Sequence, residues 1–237
     1  MEQSKDPAAA LLTARRDGVR LDQLPGAPTS MADAVAIQQA VLAGLGQTVG
    51  GWKVGAPGPD QPPNCSPLPA SGVGDGCPRH GYIEGEIAVV LGHDLPARDA
   101  PYTEAEVLAA IASVHPAIEV LHSRFGPEPD AWSGLADSGG HAGLVLGPAV
   151  AGWTTLDLAA ETLEVRVDGI VVKRGQGNPG GPMLRLLQWL ADTGARWDGG
   201  LRAGQVVTTG SWTGKDLVRR GQSAVVTFAN CGAVRLG

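Results

Sequence analysis

The stretch IEGEIAVVL, residues 83–91, sets two glutamates two positions apart inside an otherwise apolar run. Alternate side chains of a strand leave opposite faces, so Glu84 and Glu86 share one face. Ile83, Ile87 and Val89 share the other, a pattern suited to burial. Two carboxylates on a strand face are most often solvated. If buried they repel, and a cation is the usual remedy.

The stretches around it extend the strand reading. AIEVL (117–121), GLVLG (143–147), TLEVRV (162–167), GIVVK (169–173), QVVTTG (205–210), AVVTF (224–228) and AVRL (233–236) are apolar or alternating runs between turn residues. Asp168-Gly169 sits between two such runs, as a hairpin turn does. Three segments have helical spacing. TSMADAVAIQQAVLAGLG has Ser30 as its cap and Gly46 at its close. TEAEVLAAIASVHP has a Thr103–Glu106 capping box and is predicted to run to Pro116, and PMLRLLQWLADTG carries Pro182 near its first turn. Strands dominate beyond residue 80 without a regular βαβ alternation, which gives an α+β, mixed-sheet fold. We read residues 1–237 as one catalytic domain, with 1–50 a helical N-terminal portion and 51–237 the sheet core that carries the site. Residues 55–80, GAPGPDQPPNCSPLPASGVGDGCPRH, are Gly/Pro-rich without periodicity, as in a linker, a lid or binding loop, or a partly disordered segment.

The composition narrows the partners. Of 237 residues 43% are hydrophobic and mean hydropathy is +0.01, so a sizeable core can form. The 35 glycines and 18 prolines favour short elements with many turns. A net charge of -6 supplies no basic field for nucleic acid or an acidic membrane surface, leaving a small ligand. Cys65, Cys77 and Cys231 lack close CxxC spacing and cannot all pair, which suits reduced thiols and a cytoplasmic location. The start, MEQSKDPAAALLTARRDG, is too acidic and its apolar patch too short for a signal peptide, and no later segment could span a membrane.

Glu119 adds a third carboxylate inside an apolar run, where a charge is costly without a partner. Three carboxylates on apolar strands would make a hard oxygen site for Mg2+ or Mn2+ rather than zinc. None of His80, His93, His115, His122 and His141 has helical zinc-binding spacing, and each reads as an ordinary polar or capping residue. Lys53, in GGWKVG, is a lone lysine between Trp52 and Val54. Most such lysines reach out to solvent, whereas a desolvated one beside a metal could move protons. QVVTTGSWTG (205–214) offers backbone and hydroxyl donors for an anion, though ordinary turn chemistry is the stronger reading of it. It lacks P-loop spacing, and no dinucleotide fingerprint follows a strand.

Taken in order, AIQQAV, GWKVG, IEGEIAVVLGHDLP, HPAIEVLHSRF, GLADSGGHAGLVLG, GNPGG, LRAGQVVTTGSWTG and AVVTFANCGAVRL resemble the fumarylacetoacetate hydrolase superfamily from about Ala32 onward. The branch is that of 2-keto-4-pentenoate hydratase and 4-oxalocrotonate decarboxylase, enzymes of bacterial aromatic meta-cleavage catabolism. The resemblance implies a mixed β-sandwich or rolled sheet. It implies Mg2+ or Mn2+ held by Glu84, Glu86 and Glu119, a 2-keto acid chelated there through its carboxylate and 2-keto oxygen, and Lys53 as the acid/base group. Leu68, Ser71, Ser138, Thr209 and Ser211 are then the substrate-binding positions. The implied activity is a metal-dependent lyase that hydrates a 2-hydroxypenta-2,4-dienoate-type substrate. A 4-oxalocrotonate-type decarboxylase and an acylpyruvate C–C hydrolase are the alternatives, the latter disfavoured because no His-Glu pair can be placed around residues 53–80. A non-catalytic subunit of a hydratase–decarboxylase complex is the alternative of another class, and retention of Lys53 with all three carboxylates argues against it. Relatives assemble, so the resemblance also implies a homo-oligomer, or a complex with a related hydratase or decarboxylase. The chain departs from the family at Ser71, where hydratases usually carry an acidic loop residue, at His122 in place of Asp in D-S-R, and at Ser138 in place of Asn in A-D-N.

Overall fold

The computed structural model describes residues 5–74 and 77–237. In chain order its elements are α1 (Pro7–Asp17), α2 (Met31–Gly44), β1 (Val49–Gly55), β2 (Asn64–Pro69), β3 (Gly81–Leu91), β4 (Leu95–Pro96), α3 (Glu104–Ala110), β5 (Ile111–Leu121) and α4 (Ala131–Ala136). There follow β6 (His141–Leu146), β7 (Thr162–Val167), β8 (Ile170–Gln176), α5 (Met183–Trp189), β9 (Gly200–Leu201), β10 (Val206–Thr208), β11 (Asp216–Val218), β12 (Ala224–Phe228) and β13 (Gly232–Leu236). The result is the expected α+β architecture. A mixed sheet runs β2-β1-β10-β3-β5-β6 with β11 beside β3, and an antiparallel sheet runs β13-β12-β7-β8. β1 and β10 pair parallel, while β3 pairs antiparallel with β5, β10 and β11.

The E-G-E spacing follows from how the sheets meet. Gly85 faces away from Glu84 and Glu86, toward the second sheet. A Cβ there would stand 2.9 Å from Val226 Cγ1 and 3.2 Å from Leu163 Cδ1. Glycine lets the antiparallel sheet pack closely behind the two glutamates. Ile83, Ile87 and Val89 on that same face are buried with Leu163, Val165, Val226 and Phe228 in the main core. The N-terminal helices form a separate apolar cluster, with Leu11, Ile37 and Val41 packed against Phe125 and Ala136.

Several local expectations hold. Ser30 caps α2, and the Thr103–Glu106 box starts α3 with both reciprocal bonds. Asp168 and Gly169 make the β7–β8 turn with φ of 48° and 79°. Others need correction. The helix expected up to Pro116 ends at Ala110, and Ile111–His115 instead begins β5. Ile111 and Val114 are β-branched, and pairing with β3 over the length of that strand outweighs their fit to a short helix. The 55–80 stretch is not a structureless loop, because Asn64–Pro69 forms β2 against β1. Asp75 and Gly76 in that stretch lie outside the described residues. The strand read over 205–210 is limited to Val206–Thr208. Helix α1, capped by Asp6 and closed by Gly18, falls within the helical portion expected over 1–50 although no separate segment was read there, whereas α4 and β11 had no counterpart among the expected elements. Cys65, Cys77 and Cys231 are buried and form no disulfide. Among the described residues no helix is long and apolar enough to cross a membrane.

Candidate metal centre

The β3–β5 ladder sets Glu84 directly opposite Glu119, and Glu86 follows two residues on along the same face. One carboxylate oxygen from each of Glu84, Glu86 and Glu119 falls within 4.8 Å of the others. Glu86 and Glu119 are 1% and 0% exposed, so the face is buried rather than solvated. Lys53 arrives from β1, two strands away, and its Nζ lies 2.8 Å from both oxygens of Glu119. Thr208 on the intervening β10 donates its hydroxyl to Glu86 Oε2, and the Gly210 N–H donates to the same oxygen at 3.1 Å.

The charges do not balance within the protein. Burial, then the neighbouring Glu119 and Glu84, push the Glu86 carboxyl well above the usual range. Burial also raises Glu84, with Lys53, Lys215 and a hydrogen bond from Ser211 opposing it. For Glu119 burial pulls upward, but the Lys53 charge and the His141 hydrogen bond outweigh it and hold the carboxyl at about 2. Burial opposes the Lys53 ammonium, and the charges of Glu119, Glu84 and Glu86 together raise it above its ordinary value. One ammonium therefore faces three converging carboxylates. A divalent cation would supply the missing positive charge, and an all-carboxylate donor set fits a hard ion. Glu84, Glu86 and Glu119 are the residues that could hold it.

His141, read from the sequence as an ordinary polar residue, belongs to this centre. Its Nδ1 lies 2.8 Å from Glu119 Oε1, the ring is 2% exposed, and Nε2 is buried with no hydrogen-bond partner among the described residues. Burial lowers its pKa, so the ring is neutral near pH 7 and donates from Nδ1. No spacing rule connects His141 with Glu119. The β5–β6 pairing does, since His141 stands opposite Leu121, two residues beyond Glu119. The segment before it is fastened by Arg124, whose backbone N–H donates to Asp137 Oδ2 at 3.0 Å and whose Nη2 donates to the Asp137 carbonyl at 2.8 Å. This clamp joins the two sequence motifs HSR and ADS. It presents Gly139, where φ is +61° and a Cβ would lie 3.1 Å from Lys53 Nζ.

The remaining sequence candidates separate. Ser211 reaches Glu84. The Thr209 hydroxyl is bonded to the Ile87 carbonyl at 2.8 Å, and it is the neighbouring Thr208 that faces the carboxylates. Strand alternation accounts for the difference. Leu68 is fully buried in an apolar cluster with Ala88, Ala117, Leu144 and Val206. Ser71 is exposed in a 3-10 turn, its backbone N–H bonded to Gln47. Ser138 is 9% exposed and takes a positive φ of 54°, immediately before Gly139.

Comparison with known proteins bears on the family and the fold. The model of the fumarylacetoacetate (FAA) hydrolase C-terminal family matches residues 69–236. A 2-keto-4-pentenoate hydratase of Burkholderia vietnamiensis is 32% identical, over 90% of this chain and 87% of that protein. A 4-oxalocrotonate decarboxylase of Pseudomonas putida is 29% identical, over 70% of this chain and 64% of that protein. For two further 2-keto-4-pentenoate hydratases, the chain spans 58% of their length. Among solved structures, the 4-oxalocrotonate decarboxylase from Pseudomonas putida G7, complexed with magnesium and adipate, superposes with a TM-score of 0.77. That match has 22% identity and covers 99% of this chain and 96% of the other.

Proposed function

The chain belongs to the fumarylacetoacetate hydrolase family, and from that premise we propose that it is a metal-dependent lyase acting on a 2-keto acid in its 2-hydroxydienoic form. The leading reaction is hydration of a 2-hydroxypenta-2,4-dienoate-type substrate. The observation that carries this reading is the convergence of Glu84, Glu86 and Glu119 within 4.8 Å, with Lys53 Nζ in contact with Glu119.

Glu84, Glu86 and Glu119 would hold Mg2+ or Mn2+, and such an ion, when bound, supplies Lewis-acid stabilisation of negative charge at the substrate's 2-oxygen. Lys53 keeps its proton at Nζ in the resting site, because three carboxylates surround it. It therefore enters the reaction as a proton donor and becomes a base only after giving that proton up. Glu119 and His141 fix the direction of Nζ, and Gly139 leaves room above it. Thr208 and Gly210 hold Glu86 in one orientation. Ser211, which reaches Glu84, and Ser138, next to Gly139, are the sequence candidates left to orient the acid.

Decarboxylation of a 4-oxalocrotonate-type acid is the second reading. It is favoured by Ser71, which offers a hydroxyl where a family hydratase usually has a carboxyl to direct water. We further infer that residues 1–237 act as one catalytic unit, in the cytoplasm, as a homo-oligomer. Ile170 and Val172, 70% and 45% exposed on edge strand β8, support the last point.

Incubation of the Mg2+-loaded protein with 2-hydroxypenta-2,4-dienoate and, separately, with a 4-oxalocrotonate-type acid tests the assignment. Loss of diene absorbance without gas release identifies hydration, and CO2 release identifies decarboxylation. Turnover of neither acid would refute the lyase reading.

A further inference from the structure

A second concentration of charge lies away from the three glutamates. A pocket of about 290 Å3 between the last turn of α1 and the segment after β5 is lined by Arg15, Arg20, Ser123 and Arg124, among others. None of Lys53, Glu84, Glu86 and Glu119 lines it. Three guanidiniums thus meet in a chain whose net charge is -6. Among the described residues, Asp137 is the one carboxylate that forms an ion pair with any of them. Arg124 already occupies it, through its Nε and its backbone N–H. Further Arg124 donors go to carbonyls, those of His122 at 2.6 Å and Asp137 at 2.8 Å among them.

Arg15 is the surplus member. Its side chain is 20% exposed, its Nη2 stands 3.8 Å from Asp137 Oδ1, and its buried Nε has no acceptor among the described residues. A buried donor on a charged group is costly to leave unsatisfied. A cation in the last turn of a helix complements the helix dipole, which accounts for the sign of Arg15 but not for its burial. Arg16, one residue on, has the ordinary arrangement, exposed and paired with Asp17. Burial, then the charge of Arg124, bring the Arg15 pKa down to about 10, and Asp137 opposes them only in part.

Arg20 and Ser123 add donors at the same pocket. Arg20 Nη1 donates to the carbonyls of Ser123 and Phe125, which fixes the guanidinium and leaves Nε and Nη2 for another acceptor. The Ser123 hydroxyl accepts from the Phe125 N–H at 3.0 Å and keeps its own proton to donate. Two guanidiniums without a carboxylate of their own call for more than one negative charge. A phosphate group, with a charge of about -1.5 to -2 and three acceptor oxygens, matches them better than a single carboxylate does.

We propose that this pocket binds a phosphate group, with Arg15 and Arg20 as its cationic partners and Ser123 as a hydroxyl donor. The site is independent of the reaction assigned to the metal centre. A phosphate seated there would join α1 to the Arg124–Asp137 clamp. Free phosphate and the phosphate of a small ester share this chemistry.

Isothermal titration of the full, Mg2+-loaded chain with inorganic phosphate, glycerol 3-phosphate and acetate tests the site. Phosphate should bind in Glu86→Gln as in wild type, which separates this pocket from any phosphate held by a metal ion at the glutamates. Arg15→Gln and Arg20→Gln should each weaken binding by about tenfold or more, as loss of a charged hydrogen bond implies. Lys215→Met, in the neighbouring cavity, should not weaken it. Tighter binding of glycerol 3-phosphate than of inorganic phosphate would identify an ester as the ligand, and the reverse order free phosphate. Because Arg15 lacks an acceptor, Arg15→Gln should melt no lower than wild type without phosphate, and should lose the rise in Tm that phosphate gives the wild type. Absence of phosphate binding, acetate binding as tight as phosphate, or affinity that depends on Lys215 and not on Arg15 would overturn the site.

Discussion

Lys53 Nζ lies 2.8 Å from both carboxylate oxygens of Glu119, and the two residues are contributed by strands that are not neighbours in the sheet. The contact ties the parallel β1–β10 pair to the antiparallel β3–β5 pair at the point where three negative charges meet. Lys53 thereby has two consequences that can be measured separately, one for stability and one for chemistry.

Lys53→Met should destabilise the metal-free protein by about 3 kcal/mol, because a buried carboxylate loses its counter-charge. That corresponds to a Tm lower by roughly 6–12 °C for a chain of this size. Saturating Mg2+ should narrow the gap, since the added cation replaces part of the lost charge. The rate should remain about 100-fold or more below wild type even with Mg2+ present, as expected for loss of an acid/base group. Thermal denaturation with and without Mg2+, together with kcat, checks both halves. A variant as active as wild type would contradict the role given to Lys53.

His141→Ala should weaken Mg2+ binding by about 10–100-fold, because Glu119 loses the donor that orients it. His141→Asn, which can place an amide N–H near the Nδ1 position, should recover part of that loss. Titration calorimetry with Mg2+ reads the effect. Equal affinities in all three proteins would make His141 a packing residue only.

Glu106 gives a pH dependence remote from the site. A hydrogen bond from Arg98, then those from Thr103, hold its carboxyl at about 2, against 4.5 for an unperturbed glutamate. A depressed folded-state pKa stabilises fully above the unfolded value and loses that contribution as pH falls through the folded one. The stability difference between wild type and Glu106→Gln should therefore be constant near neutrality and shrink between 4.5 and about 2. Urea denaturation across that range checks it, and a pH-independent difference would contradict it.

The fold class was readable because its signals are local. Ser30, the Thr103–Glu106 box and the Asp168-Gly169 turn each act within a few residues and lie where the sequence places them. The shared face of Glu84 and Glu86 follows from strand alternation alone. What was hidden depends on pairing. Ile111–His115 is drawn into β5 by β3, and Asn64–Pro69 into β2 by β1, against a helical start in one case and a Pro-rich composition in the other. His141 reaches Glu119 only through the β5–β6 ladder, so nothing in its own neighbourhood announces it. Thr208 rather than Thr209 faces Glu86 because of the phase of a three-residue strand. An unaligned chain does not reveal that phase.

The central claim is that Glu84, Glu86 and Glu119 bind a divalent cation, and thermal denaturation with Mg2+ or Mn2+ tests it most directly. An ion bound only by the folded state stabilises it by about 2.7 kcal/mol at one hundred times Kd. For wild type the melting curve should move up by several degrees with either ion. In Glu86→Gln, which keeps the side-chain shape but removes one of the three charges, the increase should vanish. A wild-type curve that neither ion moves would contradict the metal centre and the chemistry built on it.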